Sequence, residues 1–86
     1  MRGGDYVKVW ITKYALTEGI IEADGEPYGL EWVSASWDNG YRCNDFEQGE
    51  WFDTKERAIQ KAEEMRQKEI EILKKQIKKL EEMRFE

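Results

Sequence analysis

The sequence predicts an α+β fold: a four- to five-stranded antiparallel sheet, with a curved, small-barrel-like form open to it, followed by one long C-terminal helix of coiled-coil character. Three observations predict it. Ten of the eleven aromatic residues fall within residues 1–53, where large rings supply much buried area per residue. Residues 54–86 contain no Gly, Pro, Trp or Tyr and are rich in Glu, Lys, Gln, Ile, Leu and Met, a helical composition. The period of the apolar residues changes from 2 to helical spacing near the same point. A chain of 86 residues makes one domain with a small core, here a β body over 1–53 and a helix over 54–86.

The first strand is expected over 5–15. Val7, Val9 and Ile11 alternate there with Tyr6, Lys8 and Trp10, the signature of a half-buried strand. Gly19 marks a reversal, and "IIEA" gives a short second strand that the "DGEP" breaker should end. "YGLEWVSASW" is the third strand, with Leu30 and Trp32 on one face and Val33, Ala35 and Trp37 on the other. Asn39-Gly40 between strand-like flanks is a strong hairpin signal, because a type I′ turn needs positive φ at both central residues. The fourth strand should then begin at Tyr41. A weaker turn at Gly49 leads into a short last strand at Trp51 and Phe52.

Asp53 offers the helix a capping box with Glu56, with Thr54 as the competing cap. Ala58, Ile59, Ala62 and Met65 form one apolar stripe, and Ile70, Leu73, Ile77 and Leu80 continue at 3, 4, 3 spacing. A helix from Thr54 to Arg84 is about 45 Å long, against about 17 Å for a five-residue strand. Its far half is therefore expected to protrude, and a second copy of the chain is the simplest cover for the Ile70, Leu73, Ile77, Leu80 seam; the alternative is a sheet long or curved enough to receive the whole helix. The expected assembly is a homodimer.

Charge divides where the composition does. Residues 1–53 carry 4 basic and 11 acidic side chains, and residues 54–86 carry 10 and 8. An acidic body repels the phosphate backbone and favours a basic partner. Residues 18–53 hold ten acids against Arg42 alone, more than solubility requires. Asp38, Tyr41, Asp45, Glu47, Glu50 and Glu31 are the candidate partner-binding residues, a carboxylate and aromatic surface suited to Lys and Arg of another protein, including a site that normally grips nucleic acid. The blander expectation is that Trp37, Tyr41, Phe46, Trp51 and Phe52 are core and cross-strand rings and that Asp38, Asp45, Glu47, Glu50 and Asp53, with Glu18, Glu22, Asp24, Glu26 and Glu31, lie in solvated turns. Lys74, Lys75, Lys78 and Lys79 line one side of the helix and form an alternative nucleic-acid face. Glu71 and Glu64 are placed to pair with Lys75 and Lys68 at i, i+4 on that same helix.

Several classes are disfavoured. There is no histidine, the commonest general base and metal ligand. The single cysteine, Cys43, allows no internal disulfide and suits a reducing compartment. No glycine pattern cradles phosphate and no acidic turn matches a calcium loop. Asp45, Glu47 and Glu50 invite comparison with paired glycosidase carboxylates, which need a cleft that so small a body has little room for. The expectation is a non-enzymatic protein without cofactor or metal. No apolar run reaches membrane-spanning length, and "MRGGDYVKVW" lacks the apolar stretch of a secretory signal, so a cytoplasmic location is expected.

Residues 11–29, "ITKYALTEGIIEADGEPYG", with the C-terminal "WFDTKERAIQKAEEMRQKEIEILKKQIKKLEEMRF", resemble a group of small uncharacterised proteins encoded by phages and prophages. They share a Thr-Lys-Tyr-Ala-Leu-Thr-x-Gly-Ile opening, matched by Thr12, Lys13, Tyr14, Ala15, Leu16, Thr17, Gly19 and Ile20, and a Glu-Met-Arg helix, matched by Glu64, Met65 and Arg66. The resemblance implies a bacterial host and an accessory factor that binds and redirects or inhibits a host protein, a defence nuclease complex being one such target. It assigns no site residues. Lys13, Tyr14 and Thr17 are recognition candidates, against the plainer expectation that Tyr14 and Leu16 pack while Thr17 and Gly19 form the turn.

Overall fold

A computed structural model describes residues 6–85. It is an α+β structure: a five-stranded antiparallel sheet curled into a half-barrel, followed by a long helix. The elements are β1 (Val7–Ile11), α1 (Ala15–Glu18), β2 (Ile21–Tyr28), β3 (Trp32–Trp37), β4 (Arg42–Phe46), β5 (Trp51–Phe52) and α2 (Lys55–Glu81), with sheet order β4-β3-β2-β1-β5.

That order forces the curl. β4 and β5 occupy opposite edges, which in a flat five-stranded sheet lie about 19 Å apart. Yet only Glu47–Glu50 joins them, and Glu50 N–H donates to the Glu47 carbonyl at 3.0 Å, closing a turn whose ends lie within about 7 Å. The sheet must roll until its edges approach. Two further bonds tie the roll: Thr12 N–H to the Glu50 carbonyl at 2.9 Å and the Trp51 indole N–H to the Glu31 carbonyl at 3.1 Å.

The concave face is the core. Val9 and Ile11 of β1, Ala23 of β2, Val33 and Ala35 of β3 and Phe46 of β4 are buried, with Tyr14, Ile21, Trp37 and Trp51 packed against them. Tyr14 meets Phe46 edge-on at 6.1 Å and Trp37 lies 5.9 Å from the same ring. Gly25 stands opposite Val7 and Ala35 in the middle of this face. A Cβ there would fall 2.7 Å from Val33 Cγ2 and 2.9 Å from Val9 Cγ2. The "DGEP" segment is therefore a strand rather than a breaker. Gly25 makes room for two valines, and Pro27 sits where the described pairing with β1, which stops at Gly25, has already ended, so its missing N–H breaks no ladder on that side.

Other boundaries differ from expectation for local reasons. β1 stops at Ile11 because Ile11 and Thr12 are both buried, which breaks the alternation; Asp5 lies outside the described residues. The chain then forms α1, capped by Gly19 at φ 81° with its N–H donating to the Ala15 carbonyl. Tyr14 packs as expected, but Leu16 is exposed. β3 begins at Trp32 rather than Tyr28, and Leu30 is fully exposed in the preceding loop. β4 starts at Arg42, because two overlapping turns occupy Trp37–Tyr41, with Gly40 N–H donating to Trp37 and Tyr41 N–H to Asp38. Asp38, Asn39 and Gly40 all have positive φ, so the expected Asn-Gly turn is the second of a pair.

Thr54, not Asp53, caps α2. It has extended φ and ψ, its hydroxyl accepts from Arg57 N–H, and its carbonyl takes the bond from Ala58 N–H at 3.2 Å. Asp53 is one residue too early. α2 packs on α1, β1 and β5; Ala58 near its start is buried, and Ala62, Met65 and, further along, Ile70 are half-buried. Every residue from Glu71 to Phe85 is exposed. The radius of gyration is 17.6 Å and the long dimension 68 Å, against about 12 Å for a compact chain of this length. The excess is the overhanging helix. Among the described residues no helix is long and apolar enough to cross a membrane.

Candidate binding surface

The convex face of the sheet carries what the core excludes. Alternation along β2 turns Glu22, Asp24, Glu26 and Tyr28 outward as Ile21, Ala23 and Gly25 turn in. Along β3 the same rule turns out Trp32, Ser34 and Ser36, and along β4 Cys43 and Asp45. Register aligns these residues into rows: Trp10 and Glu22; then Lys8, Asp24, Ser36 and Cys43; then Glu26, Ser34 and Asp45; then Tyr28 and Trp32. The rows form one continuous surface. It holds four carboxylates and one ammonium group.

Lys8 lies 3.3 Å from both Glu22 and Asp24. Hydrogen bonds to Asp24 and then Glu22 hold its ammonium group above the ordinary 10.5, so it stays charged throughout the physiological range. At the other end Tyr28 and Trp32 stack with centroids 6.3 Å apart and planes 23° apart. Both remain about two-fifths exposed, 43% and 41%. Partial desolvation, followed by the influence of the Asp45 carboxylate across β3, holds the Tyr28 hydroxyl above the usual 10.0. The stacked ring pair offers an amphipathic platform beside carboxylates.

The residues singled out from the sequence do not form one site. Asp38 and Tyr41 occupy the β3–β4 hairpin, where Tyr41 is 87% exposed. Glu31, Asp45, Glu47 and Glu50 lie at the opposite end, about 16 Å away along a five-residue strand. Glu50 is engaged within the fold: one carboxylate oxygen accepts from Glu47 N–H at 3.1 Å and the other faces Lys13 at 3.5 Å. Glu22, Asp24 and Glu26 belong to a strand, not to solvated turns. Tyr28 and Trp32 are the site residues that sequence proximity missed. The signal was present in the strict alternation from Ile21 to Tyr28, hidden by reading Gly25 and Pro27 as a turn.

Near the hairpin, α1 and β4 enclose an open hollow of about 490 Å³ between Tyr14, Trp37 and Tyr41, spanned by Glu18 and Arg42 at 3.4 Å. On the helix, Lys74, Lys75, Lys78 and Lys79 are exposed, as are Leu73, Ile77 and Leu80. The intrahelical ion pair that closes is Glu63 with Arg66 at 2.7 Å. Among the described residues Glu64–Lys68 and Glu71–Lys75 do not reach ion-pair distance, since fixing two long solvated side chains loses as much entropy as the pair gains. Comparison with protein-family models, with curated proteins and with solved structures finds no match.

Proposed function

We propose that the protein is a non-enzymatic interaction factor that presents the convex sheet face to a basic partner protein and joins a second copy of itself through the overhang of α2. The observation that carries this reading is the exposed row system of Glu22, Asp24, Asp45, Tyr28 and Trp32. Carboxylates on a rigid sheet align with Lys and Arg without reordering, and the stacked rings supply a desolvated anchor for a guanidinium. A host protein whose basic surface ordinarily grips nucleic acid fits that chemistry, as does the phage-type accessory role implied by the resemblance, with the cytoplasm of a bacterial host as the setting.

The test is capture from bacterial lysate with the wild-type chain and with an Asp24→Lys, Asp45→Lys variant, each at low and high salt. A basic protein retained by the wild type at low salt, released at high salt and lost from the variant supports the reading. Equal capture by both chains refutes it. A second reading rests on the exposure of Lys74, Lys75, Lys78 and Lys79, which offers phosphate contacts on the helix. A gel shift at low salt that disappears on Lys→Glu substitution would favour it; no shift at low salt eliminates it.

A further inference from the structure

We infer that the α2 overhang pairs with a second copy as a parallel, two-stranded coiled coil, so that both acidic bodies lie at the same end of the assembly. The inference rests on the pairing proposed above and adds its strand number and polarity. The spacing of Ile70, Leu73, Ile77 and Leu80 places both isoleucines at a positions and both leucines at d. β-branched residues at a with Leu at d is the combination that packs best in a parallel pair of helices. The protomer leaves the last three of these residues open, Leu73 at 47% exposure, Ile77 at 55% and Leu80 at 65%, while Ile70 is half-buried.

The flanking charges choose between the two polarities. In a parallel pair each g residue faces the e residue five positions further along the other helix. Glu69 then meets Lys74 of the second copy, twice by symmetry, and Gln76 meets Glu81 without conflict. In the antiparallel register that stacks the same apolar layers, Ile70 on Leu80 and Leu73 on Ile77, the e positions face each other. Lys74 would then oppose Lys74, and Glu69 would oppose Met83. The parallel arrangement gains two attractions where the antiparallel one gains a repulsion.

Two heptads are few for free peptides, which must also nucleate a helix. Here nucleation is already accomplished by the Thr54 cap and the buried Ala58, so the coil extends a helix that the body has begun. Lys75, Lys78 and Lys79 stay on the outside of such a pair, at f, b and c. Two convex faces at one end would also bind a repeated basic surface with a raised effective concentration.

The test uses the full chain in a Cys43→Ser background. Sedimentation equilibrium over a wide concentration range should give twice the 10.3 kDa chain mass. Leu80→Cys should form a self-linked disulfide in a glutathione redox buffer. Lys74→Glu should weaken dimerisation roughly fivefold, with Glu69→Lys added to it restoring the wild-type value. A dimer that links only when Leu80→Cys is mixed with Ile70→Cys overturns the polarity and leaves the pairing standing. A trimer overturns the strand number. A monomer at every concentration, unchanged by Leu73→Glu and Ile77→Glu, overturns the inference and the pairing beneath it, while the lysate comparison still judges the sheet face separately.

Discussion

Replacing Gly25 with alanine tests the packing that shapes the sheet. The added Cβ would stand 2.7 Å from Val33 Cγ2 and 2.9 Å from Val9 Cγ2, about 1 Å inside the optimal carbon separation. Neither valine has room to yield, because both are fully buried and β-branched side chains have restricted χ1 choices. The backbone at Gly25 is not in the positive-φ region, so alanine by itself would favour the strand by about 0.5–1 kcal/mol. Overpacking a tight core costs about 1–3 kcal/mol, and a double clash belongs near the upper end. The expected net loss is about 2 kcal/mol, or roughly 8–16 °C in Tm for a domain of this size. Urea denaturation should show a lower midpoint with an unchanged slope. Adding Val33→Ala to Gly25→Ala should then cost less than Val33→Ala costs alone, because the two sites share one space. A Gly25→Ala midpoint at or above the wild-type value would refute the close-packing argument.

Thr54→Ala should destabilise the chain by about 1 kcal/mol in thermal denaturation, whereas Asp53→Ala should have a much smaller effect, since the bond to Arg57 N–H comes from Thr54. Thr12 is fully buried and its hydroxyl has no hydrogen-bond partner in the protein, so Thr12→Val should raise stability by about 1 kcal/mol, seen as a higher Tm. The Tyr28 hydroxyl is held above its ordinary value, so its contribution to stability is complete below pH 10 and is lost as pH rises through the folded value; Lys8, raised from 10.5, acts in the same direction. Phenolate absorbance of wild type minus Tyr28→Phe should therefore titrate late, and Asp45→Asn should bring that difference curve down in pH. Truncation after Ile70 should leave the near-ultraviolet spectrum of the body intact, because from Glu71 onward every described side chain is exposed.

Periodicity in the sequence located the core wherever alternation ran unbroken. Val9 and Ile11 and the odd positions of β3 were legible by that rule, while the Trp51–Phe52 strand was read from the Gly49 turn before it and the helix from Thr54 onward from its composition and helical spacing. It failed where a residue of strong local preference was answering a distant partner. Gly25 reads as a turn because its neighbours in sequence are Asp24 and Glu26; its reason for being glycine lies in Val9 and Val33, on two other strands. α1 was invisible because four residues are too few to show a helical period. The candidate surface was blurred in the same way. Asp38 and Tyr41 stand close to Asp45 in sequence but at the other end of β4, while register brings Glu26, two strands away, into the row of Asp45. Sequence distance is a poor guide to neighbourhood in an antiparallel sheet, and register is the quantity that corrects it.

The size gradient along α2 bears on why its far half is apolar at all. At helical spacing Ala58, Ala62 and Met65 share one face with Leu73, Leu80 and Met83. Beside the body that face carries alanines, which let the helix lie close to β1, β5 and α1, and Ala58 is fully buried there. Beyond the body the small residues give way to Ile and Leu, which have no strand of this chain beneath them. A helix serving only as a spacer would be polar all round past its last contact, since exposed branched chains add nothing to stability and invite aggregation. Side chains that grow larger where the protomer ends are what a second packing surface requires. The charge order around them, Glu69 ahead of Lys74, fits a copy running in the same direction.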